Sequence, residues 1–447
     1  MSDRASRTFF IETLGCQMNV YDSELLRRRF LQEGYRAAAA PEQADVILVN
    51  SCSVRRKAEA RAWARISLYT SIKGRPGSPL VVLCGCVASR ATQGLGEGSR
   101  GRPALVAGCG SYDSLLAAVE AGLSTRENGG GPVLLDDSPS GSYRMPVTDE
   151  PSPLRAFISI SRGCDSHCTY CVVPSARGPH RSRSLDDITE EAHRLVEGGT
   201  RDVTLLGQNV NVYQDRGANF LDVLAAMEKV PGLWRVRFTS SHPRDMTVEV
   251  LRFIGRAENV CEHLHLPLQA GCDATLRAMH RGYTVERYRE LVETARAEIP
   301  GVAISTDLMV GFPGETDENF EESLRFVSEI GFAAAFTFIY SARPGTPASG
   351  LPDQVPEDIK RERLERLLQE QNAVTDALGK RMVGHEVEVL VEGRDRKDPR
   401  KLSGRTRTNR LVSFEGDPQL VGSLVKVRIE SAGRWTAFGR RPADSAT

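Results

Sequence analysis

The stretch "SRGCDSHCTYCVVP" (residues 161–174) carries three cysteines, Cys164, Cys168 and Cys171, spaced C-x-x-x-C-x-x-C on what reads as a loop leaving a strand. Thiolates this close form a tripod for one metal centre. Structural zinc takes four protein ligands, and catalytic zinc keeps three and a water. An iron-sulfur cube also takes four thiolates. A cube held by only three leaves one iron open to a ligand from outside the protein. His167 could complete a zinc site, but it adjoins Cys168 and reads as exposed. Arg162 and His167 are the neighbours that would help these thiols ionise.

Three more cysteines close strands near the N-terminus. "TFFIETLGC" is followed by the helical pattern "DSELLRRRFLQEGY", "ADVILVNSC" by "RRKAEARAWARISLY", and "PLVVLCGC" by a glycine-rich turn. This alternation predicts a parallel sheet with helices on its faces. Ligand crevices in such sheets lie at the carboxyl ends of the strands, so Cys16, Cys52 and either Cys84 or Cys86 should meet at one edge. Cys86, just beyond Gly85, is the better placed, because Cys84 ends the apolar run and suits a core. Cys109, alone in "VAGCGSYDS", reads as structural.

Residues 124–152 are rich in glycine, proline and serine and read as a linker. Beyond it a second α/β series runs through "AFISISRGC", "RDVTLLGQN", "RVRFTSSHP", "CEHLHLPLQ", "VAISTDLMVGFP" and "AAFTFIYSARPGT". Six strand-helix repeats predict a partial parallel barrel, whose carboxyl edge would collect the Cys164 loop with Gln208, Asn209, Ser240, Ser241, Gln269, Asp307 and Tyr340. Any one of these could instead cap the helix that follows it. After Pro356, "EDIKRERLERLLQEQNAVTDALGKR" predicts a long helix ending near Gly384. The tail alternates with period two between glycines, as a small β-barrel does. Between Arg394 and Arg410 it holds eight Lys/Arg against two Asp, a net +6 that suits phosphates, with Thr406, Thr408 and Asn409 to add hydrogen bonds. A solvated charged loop is the plainer alternative.

At 447 residues the chain exceeds one ordinary core and should form two or three domains. Its 58 Lys+Arg balance 58 Asp+Glu, so global charge neither demands nor excludes a nucleic-acid partner and local patches must decide. The N-terminus lacks the apolar segment of a secretory signal, and no run reaches the roughly 18 apolar residues of a membrane helix. The expectation is a cytoplasmic protein without membrane attachment, whose 10 cysteines stay reduced and serve metal or redox chemistry rather than disulfides.

The tripod at the end of the first strand of a six-fold α/β repeat resembles the radical S-adenosylmethionine (SAM) superfamily. The likeness narrows with "GCQMNVYDSE", "NSCSVRRKAEAR", "GCDSHCTYCVVP", "LLGQNVNVY", "RVRFTSSHPRD", "EHLHLPLQAGCD", "STDLMVGFPGETDENF", "FIYSARPGTPA" and "GRTRTNRLVSFEG", which together resemble the methylthiotransferases, nearest the branch that modifies dimethylallyladenosine in tRNA. Departures are mild. "NSCSVR" has serine where threonine is common, "GCVASR" lacks a usual glutamine, and "GPHRSRS" replaces a more regular stretch; none touches a ligand cysteine.

The resemblance implies an α/β protein of three parts: an N-terminal methylthiotransferase domain (1–125), a central partial (β/α)6 radical SAM barrel (150–380) and a C-terminal TRAM β-barrel (381–441). It implies two 4Fe-4S clusters, one on Cys164, Cys168 and Cys171 with SAM on its open iron, and an auxiliary, sulfur-donating one on Cys16, Cys52 and Cys86. Cys84, Cys109, Cys261 and Cys272 match no ligand position. The catalytic groups are then the clusters themselves. Strand position suggests Gln208, Ser240, Gln269 and Asp307 as SAM contacts, and Arg405, Arg407, Asn409 and Arg410 as RNA contacts. The implied reaction is methylthiolation at C2 of N6-dimethylallyladenosine in a tRNA anticodon stem-loop, by a monomer supplied with electrons by a flavodoxin- or ferredoxin-type donor. Neighbouring branches act on threonylcarbamoyl-adenosine in tRNA or on a ribosomal-protein aspartate. A non-enzymatic zinc and RNA-binding protein is the alternative of another class, and three ligands per site argue against it.

Overall fold

Val46–Val49 and Leu80–Cys84 are unbroken apolar runs, which is what a parallel strand covered on both faces requires, and every residue of Val46–Ser51 and Leu80–Cys84 is buried, the polar Asn50 and Ser51 included. The computed structural model describes residues 7–54, 56–72, 78–91, 101–124, 133–135, 143–147 and 150–442. In it these runs are the central strands of an all-parallel sheet of order β2-β1-β3-β4-β5-β6. The strands are β1 (Thr8–Leu14), β2 (Arg36–Ala37), β3 (Val46–Ser51), β4 (Leu80–Cys84), β5 (Leu105–Ala107) and β6 (Val133–Leu134). Helices α1 (Gln17–Gln32), α2 (Arg56–Thr70), α3 (Cys86–Ala91) and α4 (Tyr112–Ser124) connect them. Alternate strand residues serve opposite faces. Val46 and Leu48 pack with Tyr21, Leu25 and Phe30 of α1, whereas Ile47 and Val49 pack with Ala62 and Ile66 of α2. Each such side chain contributes about 1.5–3 kcal/mol by leaving water.

The six strands expected of the central domain are all present: β7 (Arg155–Ser159), β10 (Asp202–Leu206), β13 (Arg235–Phe238), β14 (His263–His265), β15 (Ala303–Val310) and β16 (Ala334–Ile339). Short ribbons β8 (Ser161–Arg162) with β9 (Arg181–Ser182), and β11 (Gln214–Asp215) with β12 (Ala218–Asn219), lie between them. The strands form two parallel triplets, β13-β10-β7 and β14-β15-β16, joined by a parallel bridge between Val236 and Val260. Among the described residues β7 and β16 do not pair, so the barrel is open on one side. Helices α5 (Val173–Arg177), α6 (Leu185–Glu197), α7 (Phe220–Glu228), α8 (Val248–Arg256), α9 (Asp273–Ala278), α10 (Val285–Glu298) and α11 (Asp317–Ile330) follow in order. Side-chain caps fix where several begin: Ser184 accepts from Asp187 N at 3.1 Å to start α6, and a Thr316–Asn319 capping box starts α11.

Helix α12 (Glu357–Arg381) leads to a closed barrel, β17-β18-β19-β21-β20, made of β17 (Glu386–Arg394), β18 (Lys401–Arg405), β19 (Leu411–Glu415), β20 (Leu424–Ala432) and β21 (Thr436–Arg440). Among the described residues no helix is long and apolar enough to cross a membrane.

Two expectations need revision. The linker lies largely outside the described residues, but its described parts are structured. Val133–Leu134 adds an edge strand, and Tyr143 stacks on Tyr21 of α1 (ring centroids 5.7 Å apart) with Met145 buried beside it. Apolar residues in a polar stretch made that docking possible. The glycine-rich turn after β4 is displaced as well, because Cys86 opens α3 at once; most of the turn, 92–100, lies outside the described residues.

Candidate active site

The Cys16, Cys86 and Cys164 loops each start from a backbone that only glycine fits. Gly85 has φ +85°, and a Cβ there would sit 2.3 Å from Asn50 Oδ1. Gly163 has φ +73°, and its Cβ would meet Pro179 O at 2.0 Å. Gly15 is crowded in the same way by Asn19 and Cys52. A left-handed φ and a close approach both exclude larger residues. The chain can therefore turn sharply off β1, β4 and the β7–β8 segment and place Cys16, Cys86 and Cys164 immediately beyond.

Buried amides fix the N-terminal loops. Asn19 Nδ2 donates to Asn50 Oδ1 at 3.0 Å, and Asn50 Nδ2 donates to Asn19 O and Ser23 Oγ, both at 2.9 Å. Gln208 does similar work on the central loop, its Oε1 accepting from Gly163 N at 2.5 Å.

All six predicted cysteines, Cys16, Cys52, Cys86, Cys164, Cys168 and Cys171, line one cavity of about 290 Å³ between the N-terminal sheet and the barrel mouth. Gln208, Ser240, Gln269 and Asp307 line it too, with Asn209, Ser241, His242 and His265. Ser240 and Gln269 hold φ +63° and +75°. Left-handed backbone at non-glycine residues costs about 1–2 kcal/mol and is retained mainly where the surroundings impose it at functional sites. Cys84 is buried in the sheet core, and Tyr340 does not border this cavity. Cys109 lies against Cys86, Sγ to Sγ 4.0 Å.

The donors around the sulfurs suit thiolates. Backbone N–H groups of Val54, Ser166 and Val173 reach the sulfurs of Cys52, Cys164 and Cys171 at 3.4, 3.3 and 3.4 Å. Arg177 Nε donates to Cys86 Sγ at 3.2 Å, and Arg281 Nη1 to Cys168 Sγ at 3.4 Å. Arg177 is itself held by Asp22 across the domain boundary (2.8 Å, both side chains buried). A hydrogen bond with Cys52 brings Cys16 down to about 6 and pushes Cys52 up. The hydrogen bond from Cys109, aided by Arg177, lowers Cys86, while burial pushes Cys171 up to about 12. Among the described residues no three His, Cys, Asp or Glu side chains close around a single-ion position. Arg177 Nη1, Asn209 Oδ1 and Ser241 Oγ are buried there without a partner inside the protein, which suits a polar guest. The site fits iron-sulfur clusters with a polar cofactor.

Sequence reasoning missed the two arginines. It named Arg162, whose guanidinium instead lies 4.3 Å over the Tyr143 ring and donates to Cys109 O. His167 is exposed and borders no part of the cavity. Arg177 and Arg281 carry no signal beyond lying near the motifs "VVPSARGP" and "MHRGYT", because their approach to sulfur depends on tertiary folding.

The basic tail also needs correction. Arg407 pairs with Glu262 at 2.6 Å and donates to Glu258 O and Val260 O, tying the small barrel to the central one. Arg235 and Arg237 reply by donating to the carbonyls of Arg405 and Thr406. Arg405 pairs with Glu392 at 2.6 Å, and Arg410 donates to Arg434 O and Gly433 O. Asn409 is exposed at a φ +66° turn. The four expected RNA contacts thus do not form a free cationic face, since three are committed inside the protein. Arg394 at the end of β17 and Arg396, Lys397 and Arg400 on the β17–β18 loop are exposed, with Arg394 donating to Pro399 O and Arg400 paired with Asp398.

Three family models match the chain: an uncharacterized protein family, UPF0004, over residues 8–108, the radical SAM superfamily over 158–327 and the TRAM domain over 380–440. A protein of Moorella thermoacetica named tRNA-2-methylthio-N(6)-dimethylallyladenosine synthase is 42% identical over 448 residues, covering 98% of each chain. One of the same name from Carboxydothermus hydrogenoformans is 43% identical, covering 95% of this chain and 97% of its own. Among solved structures, the radical SAM methyltransferase TsrM of Kitasatospora setae with tryptophan and a SAM analogue aligns with TM-score 0.56 at 14% identity, over 77% of this chain and 75% of that one. At that identity the likeness speaks for fold alone.

Proposed function

Because the chain belongs to the tRNA-2-methylthio-N(6)-dimethylallyladenosine synthase family, we propose that it methylthiolates C2 of N6-dimethylallyladenosine beside the anticodon of tRNA. The observation that carries this reading is the meeting of two cysteine triads, from two separate α/β sheets, on one cavity. A purine C2–H bond yields to no positioned acid or base. A three-cysteine 4Fe-4S cluster with SAM would, on receiving one electron, supply a 5'-deoxyadenosyl radical to take the C2 hydrogen, while a second cluster would supply sulfur and a second SAM the methyl group.

Cys164, Cys168 and Cys171 hold the first cluster, and Cys16, Cys52 and Cys86 the second. Arg281 and Arg177, each donating to a sulfur, balance the negative charge of the thiolates. Gln208, Ser240, Gln269 and Asp307 orient SAM from the carboxyl ends of their strands. Gln208 also locks the tripod loop through Gly163 N. The docked N-terminal domain covers the barrel mouth and keeps bulk water from the reacting base. A base in a folded loop must be splayed out to enter, and the exposed cations between 394 and 400 suit the stem backbone. The protein works as a cytoplasmic monomer with a flavodoxin- or ferredoxin-type donor.

The test is iron and sulfide analysis of anaerobically purified protein, with mass spectrometry of nucleosides from prenylated and unprenylated tRNA. Roughly eight irons per chain, about half in a triple Cys→Ala variant of either triad, are expected, with 2-methylthio product only from prenylated tRNA. Stoichiometric zinc without sulfide would support the zinc-staple reading instead. Product on threonylcarbamoyl-adenosine or on a ribosomal-protein aspartate would move the chain to a neighbouring branch.

A further inference from the structure

Strand β16 has one residue that its place in the barrel leaves unexplained. Phe336 is 52% exposed. Among the described large apolar side chains on the six barrel strands, it is the one left exposed. Its alternates on the strand, Ala335 and Ile339, pack into the core shared with the helices, so Phe336 faces the lumen. The register agrees. Phe336 lies opposite Asp307 in the parallel pair, and Asp307 borders the cavity that holds both cysteine triads. Phe336 does not itself border that cavity; its ring adjoins it through His265, a lining residue, which it meets edge to face at 5.9 Å between centroids.

That contact is braced. His265 Nδ1 is 3.0 Å from Ser305 Oγ, and His265 Nε2 is 3.5 Å from Asp307 Oδ2. The imidazole is therefore fixed between two polar partners, and Phe336 rests against a surface that does not yield. Beyond it the sheet ends, since β16 is the last strand on the open side of the barrel. A rigid aromatic face, turned into a lumen otherwise lined by Asp307, His265 and Ser305, offers an apolar surface amid polar groups.

We propose that Phe336 is the wall on which the dimethylallyl group of the substrate adenosine packs, and that it sets the preference for prenylated over unprenylated tRNA. This rests on the function proposed above. An apolar branched group of this kind gains by covering an exposed ring, whereas the unmodified adenine has nothing to place there. Hydrogen bonds to N1, N3 and N7 leave that choice unmade, because both adenines share those acceptors and differ only at N6, where the dimethylallyl group replaces one N–H. The residue thus selects substrate and touches no reacting atom.

Binding of anticodon stem-loops with and without the dimethylallyl group is measured on cluster-loaded wild type, Phe336→Ala, Phe336→Leu and Phe336→Tyr, alongside SAM binding and iron content. Phe336→Ala should lose about 10- to 100-fold in affinity for the prenylated loop and almost nothing for the plain one. Phe336→Leu should keep most of the preference. Phe336→Tyr, which keeps the volume but adds a hydroxyl, should lose part of it. SAM affinity and iron content should hold in all four. Equal losses on both RNAs, a retained preference in Phe336→Ala, or a loss confined to SAM binding would each overturn the assignment. Should Phe336→Ala lose its iron, Phe336→Tyr decides: a preference as large as wild type's overturns the assignment. Wild type that fails to methylthiolate prenylated tRNA defeats the functional reading itself, whereas wild type that does so while Phe336→Ala keeps its selectivity defeats this inference alone.

Discussion

Gly163→Ala, with Gly178→Ala as its control, separates two reasons for a glycine beside the tripod. The two residues have nearly the same φ, +73° and +74°. They differ in surroundings: a Cβ on Gly163 would stand 2.0 Å from Pro179 O and 2.5 Å from Gly178 O, whereas one on Gly178 meets nothing within 4 Å. Alanine at either site carries a positive-φ penalty, on the order of 1–2 kcal/mol. At Gly163 the backbone oxygens must also move, and forcing atoms into a filled space adds about 1–3 kcal/mol. The expected losses are therefore about 2–5 kcal/mol for Gly163→Ala and about 1–2 kcal/mol for Gly178→Ala. Moving Gly163 also disturbs its bond to Gln208 and the 3.2 Å bond from Cys164 N to Gly178 O. Cluster content should then fall with stability. Urea unfolding of the reduced, metal-free chain gives the first quantity, and iron per chain after anaerobic reconstitution gives the second. Gly163→Ala should lose about four irons and Gly178→Ala should retain them. Equal stability losses, or full iron in Gly163→Ala, would refute the argument that close backbone approach shapes the tripod loop.

Removing the Arg177 guanidinium as Arg177→Met strands the buried Asp22 carboxylate and should cost about 3–5 kcal/mol; adding Asp22→Asn should restore much of it in the same urea assay while leaving Cys86 uncovered. Burial, with Arg281 and Arg237 nearby, lowers His242 and His263 to about 3. Below the ordinary histidine value of about 6.5 the unfolded chain takes up protons that the folded chain refuses, so stability is level above that pH and falls on acidification toward 3. Each should cost about 2 kcal/mol at pH 5, seen as a lower urea midpoint than at pH 7 and reduced in His242→Gln. Arg396→Ala with Lys397→Ala should weaken tRNA binding on all sequences and reduce the salt slope by about 0.7–0.9 per lost phosphate contact. Arg407→Ala should leave that slope unchanged and speed proteolysis between the central and C-terminal barrels, because it removes the pairing with Glu262.

Much of the site was legible because its signals are local. Cys164, Cys168 and Cys171 sit within eight residues, and their spacing survives any tertiary arrangement. Cys16, Cys52 and Cys86 lie far apart in the chain, yet each follows an apolar strand, and parallel strands bring their carboxyl ends to one edge. The same rule placed Gln208, Ser240, Gln269 and Asp307 at the barrel mouth. It could not distinguish a lumen-facing Phe336 from its core-facing neighbours, since in "AAFTFIY" both alternating faces carry apolar residues and Thr337, the one polar residue within the strand, alternates with Ala335 and Ile339 on the core side.

The sequence by itself determined the two cysteine triads and the α/β and β parts that carry them. Only the tertiary structure decided which cations meet those cysteines. Arg177 meets Cys86 across 91 residues and Arg281 meets Cys168 across 113, once two domains and two ends of a barrel have closed on each other. Arg407, reading as a phosphate contact, is taken by Glu262 at a separation of 145 residues. A guanidinium has the same charge wherever it stands in a sequence. What it pairs with depends on which buried anion the fold brings within hydrogen-bond reach, because desolvation makes leaving that anion unpaired the costlier outcome.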